Sequence, residues 1–136
     1  MLNTLKSHLV FVYGTLMAGF ANHRVLGPTP CPLGAATTVD KFTMYTNGYF
    51  PALTLQELYT VRGEVYKVSD SDLIRLDRLE GYDVTRTSNH YERKLVTVAL
   101  HSGDKVNAWV YYQKEPGYRM EKLPIGCFAD YAASVD

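Results

Sequence analysis

The stretch SDSDLIRLDRLEG, residues 69–81, admits one local structure, a short helix with both of its ends marked. Ser69 with Asp72 three residues on makes a capping box, and Gly81 is placed to stop the helix that begins at Asp70. At about 100° per residue, Leu73, Leu76 and Leu79 line up as one apolar stripe, with Arg75 and Arg78 turned away from it. Glu80 falls inside that stripe, at i+4 from Leu76 and i+7 from Leu73. The helix therefore aims a carboxylate at its own packing face. It does so in the last turn, where the helix dipole disfavours negative charge by roughly 0.3–1 kcal/mol. Burial and dipole both raise the pKa, and a carboxyl brought toward neutrality suits proton transfer at physiological pH. The competing structural reading has Glu80 frayed into solvent or paired with an arginine. Asp77 reads as a border residue of the stripe.

The rest of the chain reads as strands. Leu9 to Tyr13 is continuously apolar or aromatic, as a strand buried on both faces should be. It runs into Gly14, Thr15 and Leu16. Gly14 allows either positive φ or the close approach of a ligand, and successive N–H groups in such a turn form an anion-binding nest. The plain alternative is a strand-ending turn. NHRVL (Asn22 to Leu26) suggests a short helical turn before Pro28, and GAATTVDKFTMY reads as one or two strands. Asn47-Gly48 is a strong turn signal, after which YFPAL (Tyr49 to Leu53) borders a pocket or marks a sheet edge. TVRGEVYKV alternates Val61, Gly63 and Val65 against Arg62, Glu64 and Tyr66, as a half-exposed strand does. YERKLVTVAL and KVNAWVYYQ form a hairpin through HSGD, with Tyr111 and Tyr112 on opposite faces. Past Lys114, the residues Pro116, Gly117 and Pro124 predict an irregular tail. The expectation is one α+β domain over residues 1–136, its many strands curled into a small barrel beside one clear helix.

Fourteen basic and fourteen acidic residues cancel, so the chain lacks the basic excess of a nucleic-acid-binding domain. Cys31 and Cys127 are too few and too far apart for a disulfide framework or a paired metal motif. They read as buried free thiols in a reducing compartment. The first ten residues carry no signal-peptide pattern and no stretch is long and apolar enough to span a bilayer, so a cytoplasmic location is expected. Gly-x-Ser-x-Gly elbows and phosphate-binding glycine loops are absent from the sequence. His23, at the start of a short turn, reads as a capping or packing residue rather than a base.

These residues together resemble the gamma-glutamylcyclotransferase-like superfamily, and most closely its gamma-glutamylamine cyclotransferase group with its bacterial relatives. VFVYGTLMAGFANHRVL (Val10 to Leu26) resembles that group's opening strand, substrate loop and Asn-His segment. GEVYKVSDSDLIRLDRLEGY (Gly63 to Tyr82) resembles the strand and helix that present its catalytic glutamate. YERKLVTV and WVYY are similar to its last two barrel strands. The resemblance implies a small, mostly antiparallel β-barrel flanked by helices, with the site at its open mouth. It implies a catalytic role for Glu80 and a substrate-binding role for Tyr13, Gly14, Thr15, Leu16 and Tyr91. The implied reaction is intramolecular. The α-amino group of a small γ-glutamyl substrate attacks its own γ-carbonyl, releasing an amine or amino acid and closing 5-oxoproline, with no metal or cofactor. The Tyr13–Leu16 amides would hold the α-carboxylate or the developing oxyanion. A non-catalytic small-molecule-binding or regulatory domain on the same fold is the alternative. The polar segment Asp83 to His90 is longer than in the animal amine cyclotransferases, and is expected to form a mobile loop at the pocket rim.

Overall fold

A computed structural model describes residues 7–20, 23–26 and 31–134. Five strands form a closed barrel in the order β1 (Ser7–Val12), β5 (Arg62–Ser69), β2 (Cys31–Thr38), β6 (Glu92–Leu100) and β7 (Lys105–Tyr112). All neighbours are antiparallel except the seam, where β1 meets β7 in parallel with Val10 opposite Trp109. Val10, Val65, Val98 and Val110 are fully buried, and β-branched residues of this kind suit a tightly curved, filled barrel. β1 is buried at three consecutive positions, Val10 to Val12, because both of its faces are covered.

Beside the barrel lies a three-stranded sheet, β4 (Pro51–Tyr59), β3 (Phe42–Thr46) and β8 (Glu121–Lys122). The Asn47-Gly48 turn joins β3 to β4. Gly48 takes φ +99°, while the Asn47 side-chain oxygen accepts from the N–H groups of Tyr49 (3.0 Å) and Phe50 (3.2 Å). The sheet is tied to the barrel where the Gln113 N–H donates to the Leu53 carbonyl at 2.8 Å.

Helix α1 spans Asp70–Glu80, with the Ser69–Asp72 capping box formed in both directions. Gly81 closes it at φ +67°. The Gly81 N–H bonds the Arg78 carbonyl and the Tyr82 N–H bonds the Asp77 carbonyl, the Schellman pattern that needs a left-handed residue. Leu73 and Leu76 are buried as their spacing predicts. Leu79 is not: it is 43% exposed and lines a cleft.

Three further expectations need correction, and a fourth is met where it can be followed. Tyr66 is buried rather than exterior. The segment after β1 folds over it, so that Glu64 Oε1 accepts from both the Tyr66 hydroxyl (2.8 Å) and the Ala18 N–H (2.9 Å), and the His23 ring meets the Tyr66 ring edge-on at 5.5 Å. Cys31 is exposed, since it opens β2 before the strand enters the barrel, whereas Cys127 is buried; both are free thiols. The tail contains a short helix, α2 (Phe128–Ser134), formed beyond Pro124 and anchored by Phe128 against Phe20 (5.7 Å between centroids). Of the predicted turn before Pro28, residues His23–Leu26 form one turn of 3-10 helix, and Asn22 and Pro28 lie outside the described residues.

Candidate active site

The open end of the barrel holds a cleft of about 380 Å³. Three pieces of chain converge on it: the turn that follows β1, the β3–β4 connection, and the end of α1 with the start of β6. Tyr13, Gly14, Thr15, Leu16, Glu80 and Tyr91 all line it. Residues separated by most of the chain are thus brought to one place. β1 delivers its turn there because β5 and β7 flank it, and α1 delivers Glu80 there because Leu73 and Leu76 seat the helix.

The turn after β1 is closed by the Met17 N–H donating to the Gly14 carbonyl at 3.0 Å, with Thr15 and Leu16 at its centre. Its shape is held from behind, where His23 Nδ1 lies 2.9 Å from the Leu16 carbonyl oxygen. Gly14 is not among the positive-φ glycines. Its requirement is space: a Cβ there would sit 2.6 Å from both Cδ and Cγ of Pro51, well inside contact distance. Pro51 opens β4, so this glycine lets the second sheet lean on the turn after β1.

Glu80 is the last residue of α1; its backbone carbonyl accepts from the Tyr91 N–H at 3.2 Å, but its carboxyl makes no hydrogen bond or ion pair among the described residues. Burial raises its carboxyl from an ordinary 4.5 to about 7. That is the direction its position in the helical stripe predicts, with burial as the cause. Around it stand three phenols, Tyr13, Tyr91 and Tyr111, each held above the usual tyrosine value first by burial and further by the Glu80 charge. All three hydroxyl protons are committed elsewhere. Tyr13 donates to the Tyr111 carbonyl (2.6 Å), Tyr91 to the Pro51 carbonyl (2.9 Å) and Tyr111 to Asp77 Oδ1 (2.6 Å). The phenols frame the carboxyl, which has no donor among the described residues.

Residues 10–130 match the family model described as gamma-glutamyl cyclotransferase, AIG2-like. The chain belongs to that family. A relative from Methanocaldococcus jannaschii, provisionally named a gamma-glutamylcyclotransferase, is 36% identical over 106 residues, covering 78% of this chain and 84% of that protein. The gamma-L-glutamyl-butirosin B gamma-glutamyl cyclotransferase of Niallia circulans is 30% identical over 109 residues, 80% of this chain and 69% of that protein. Among solved structures, an AIG2-like protein from Mus musculus superposes with a TM-score of 0.69 at 25% identity, over 85% of this chain and 88% of that one.

For this gamma-glutamyl cyclotransferase family member, the cleft also contains residues outside the predicted site set, although the pocket-bordering reading of YFPAL covers Tyr49, Phe50 and Pro51 and the expected rim segment covers His90. Phe11, Val12, Tyr49, Phe50, Pro51, Leu79, His90 and Tyr111 complete the lining. Strand alternation puts Tyr111 and Tyr112 on opposite faces but does not say which face is inner; Tyr111 proves to be the buried one. The polar segment reaches the cleft only through His90. Asp83, Val84 and Arg86 line a separate depression on the outer side of α1, and Thr85, Thr87 and Ser88 line neither. Asp77, read as a border residue, is half-buried and fully engaged, as Arg93 Nη1 donates to both of its oxygens (2.9 and 2.8 Å).

Proposed function

We propose that this chain is a cofactor-independent γ-glutamyl cyclotransferase in which Glu80 acts as general base and then general acid. The observation that carries the reading is a buried carboxyl with no donor among the described residues, lining one ligand-sized cleft with the turn after β1; its burial raises it to about 7. The substrate is a γ-glutamyl amine or peptide whose α-ammonium loses a proton to the Glu80 carboxylate. The freed amine attacks the γ-carbonyl carbon, and the ring C–N bond forms as the carbonyl electrons move to oxygen. When those electrons return, the old C–N bond breaks, the leaving nitrogen takes the proton from Glu80, and the ring nitrogen gives up its second proton to solvent to leave the lactam N–H. The products are 5-oxoproline and a free amine or amino acid, with Glu80 returned to its ionised form.

Both reacting groups belong to one molecule, so holding the folded-back conformer supplies much of the rate. Effective molarities of about 10⁵–10⁸ M are reached in well-oriented intramolecular attack. The turn at Tyr13–Leu16 is suited to bind the α-carboxylate or the developing oxyanion. A partly desolvated base near pKa 7 is matched to moving a proton off an amine and onto another at neutral pH. The direct test is 5-oxoproline release from a panel of γ-glutamyl amines, γ-glutamyl amino acids and glutathione. Release from at least one, abolished in Glu80→Gln, supports the reading. Tight binding of such compounds without release would assign the cleft to recognition instead.

A further inference from the structure

Asp77 lies one helical turn before Glu80 on α1 and is bonded to two other elements at once. From β6, Arg93 Nη1 donates to both carboxylate oxygens, and from β7 the Tyr111 hydroxyl donates to Oδ1. Arg93 is itself gripped, its guanidinium 4.3 Å from the Trp109 ring centroid and 4.9 Å from that of Tyr82. Its Nε is buried with no acceptor, and Asp77 is the only carboxylate paired with this charge among the described residues. One side chain thereby joins the last turn of α1 to the barrel wall that faces the cleft.

The same contact decides where a proton goes. Tyr111 feels the charge of both carboxyls, Asp77 and Glu80, and has one hydroxyl hydrogen. Of the three phenols around Glu80, Tyr13 and Tyr91 donate to backbone carbonyls, whereas Tyr111 donates to a side chain. We propose that Asp77 is a positioning residue for Glu80, fixing the end of α1 on the barrel and drawing the Tyr111 hydroxyl away from the Glu80 carboxyl. This rests on the role proposed for Glu80 above. The groups facing Glu80 are then Tyr13 from the end of β1, His90 and Tyr91 from the approach to β6, and Tyr111 from β7. Those facing Asp77 are Arg93 and Tyr111, with Arg78, Asp83 and Arg86 around the outer depression.

In Asp77→Asn, one carboxamide oxygen replaces two carboxylate oxygens, while Arg93 and Tyr111 still offer their protons. The charged donor keeps the oxygen and the phenol is released toward Glu80, where a new O–H···O⁻ bond favours the ionised form. The experiment titrates Glu80 by NMR in protein labelled with ¹³C at glutamate Cδ, assigned by loss of the signal in Glu80→Gln. It needs no substrate, so absence of turnover would count against the cyclotransferase reading without touching this measurement. The midpoint is expected to fall by about one pH unit in Asp77→Asn. It should return to the wild-type value in Asp77→Asn combined with Tyr111→Phe. An unmoved midpoint in folded Asp77→Asn would reduce Asp77 to a scaffold residue and overturn the proposal. Tyr111→Phe alone decides the matter if Asp77→Asn does not fold. The midpoint should then stay in place, and a rise would show that this hydroxyl already serves Glu80.

Discussion

Replacing Glu80 by Gln should make the protein more stable at alkaline pH, by an amount the structure sets. Burial holds the carboxyl near 7 instead of 4.5, so the folded state binds that proton more tightly than the unfolded chain does. A group raised in this way contributes its full stability below about pH 4.5 and loses it as pH rises through about 7. The distance between the two values, at roughly 1.4 kcal/mol per pH unit, amounts to about 3 kcal/mol. Glutamine has nearly the shape of the protonated acid and never ionises, so the two proteins should be about equally stable at pH 4.5. Above pH 7.5 the variant should lead by about 3 kcal/mol. With unfolding entropy of about 2.1 cal/mol/K per residue, that is a gap of roughly 10 °C in Tm for a chain of 136 residues. Melting curves of both proteins from pH 4.5 to 8.5 measure the gap directly, because every other titrating group is common to the pair. A gap that stays flat across this range would mean that Glu80 is solvated, and the argument for it as a tuned base would fall.

The same substitution should lower turnover by the roughly 10²–10⁴-fold that removal of an acid–base group costs, with circular dichroism unchanged. A folded Gln variant with wild-type kcat would take Glu80 out of the chemistry. In the wild type, kcat/KM should fall about tenfold per pH unit below pH 7 as the carboxyl protonates, and an acid limb near 4.5 would contradict the desolvated site. Gly14→Ala should drive a methyl group into Pro51, costing about 1–3 kcal/mol and weakening 5-oxoproline binding by calorimetry; unaltered affinity would show that the turn does not contact ligand. Ser69→Ala removes the cap of α1 and should cost about 1 kcal/mol by urea denaturation, with a loss below 0.3 kcal/mol arguing that packing alone holds the helix.

What the sequence discloses is what depends on near neighbours. The capping box at Ser69, the stop at Gly81 and the turns at Asn47-Gly48 and His101–Asp104 are each decided within a few residues, and each forms where its pattern predicts. Placing Glu80 in the apolar stripe is likewise local geometry, and the carboxyl does face a cleft. The departures have distant causes. Gly14 is needed because Pro51 leans on it, and Tyr66 is covered by a segment that precedes it by more than forty residues. Leu79 carries the helical period correctly but lines the cleft instead of being buried. Tyr111 and Asp77 matter through one hydrogen bond spanning 34 residues, which neither periodicity nor motif spacing can express. The mostly antiparallel barrel follows from strand count and hairpins, but the parallel seam between first and last barrel strands has no local signal.

That seam bears on how the chain is made. The Tyr13 hydroxyl and the Tyr111 carbonyl it bonds are 98 residues apart, and the Val10–Trp109 pairing closes the ring at the same place. At the 5–20 residues per second of protein synthesis, β1 waits roughly 5–20 s for β7 to be translated. Meanwhile its most apolar residues, Val10, Phe11 and Val12, can shelter only along β5, which is made half-way through. A nascent chain stalled before β7 therefore presents two bare strand edges, those of β1 and β6, and an unfinished cleft. Competence to bind arrives late and all at once, and the ribosome-bound intermediate is the stage at which this fold is most open to pairing with a neighbouring copy.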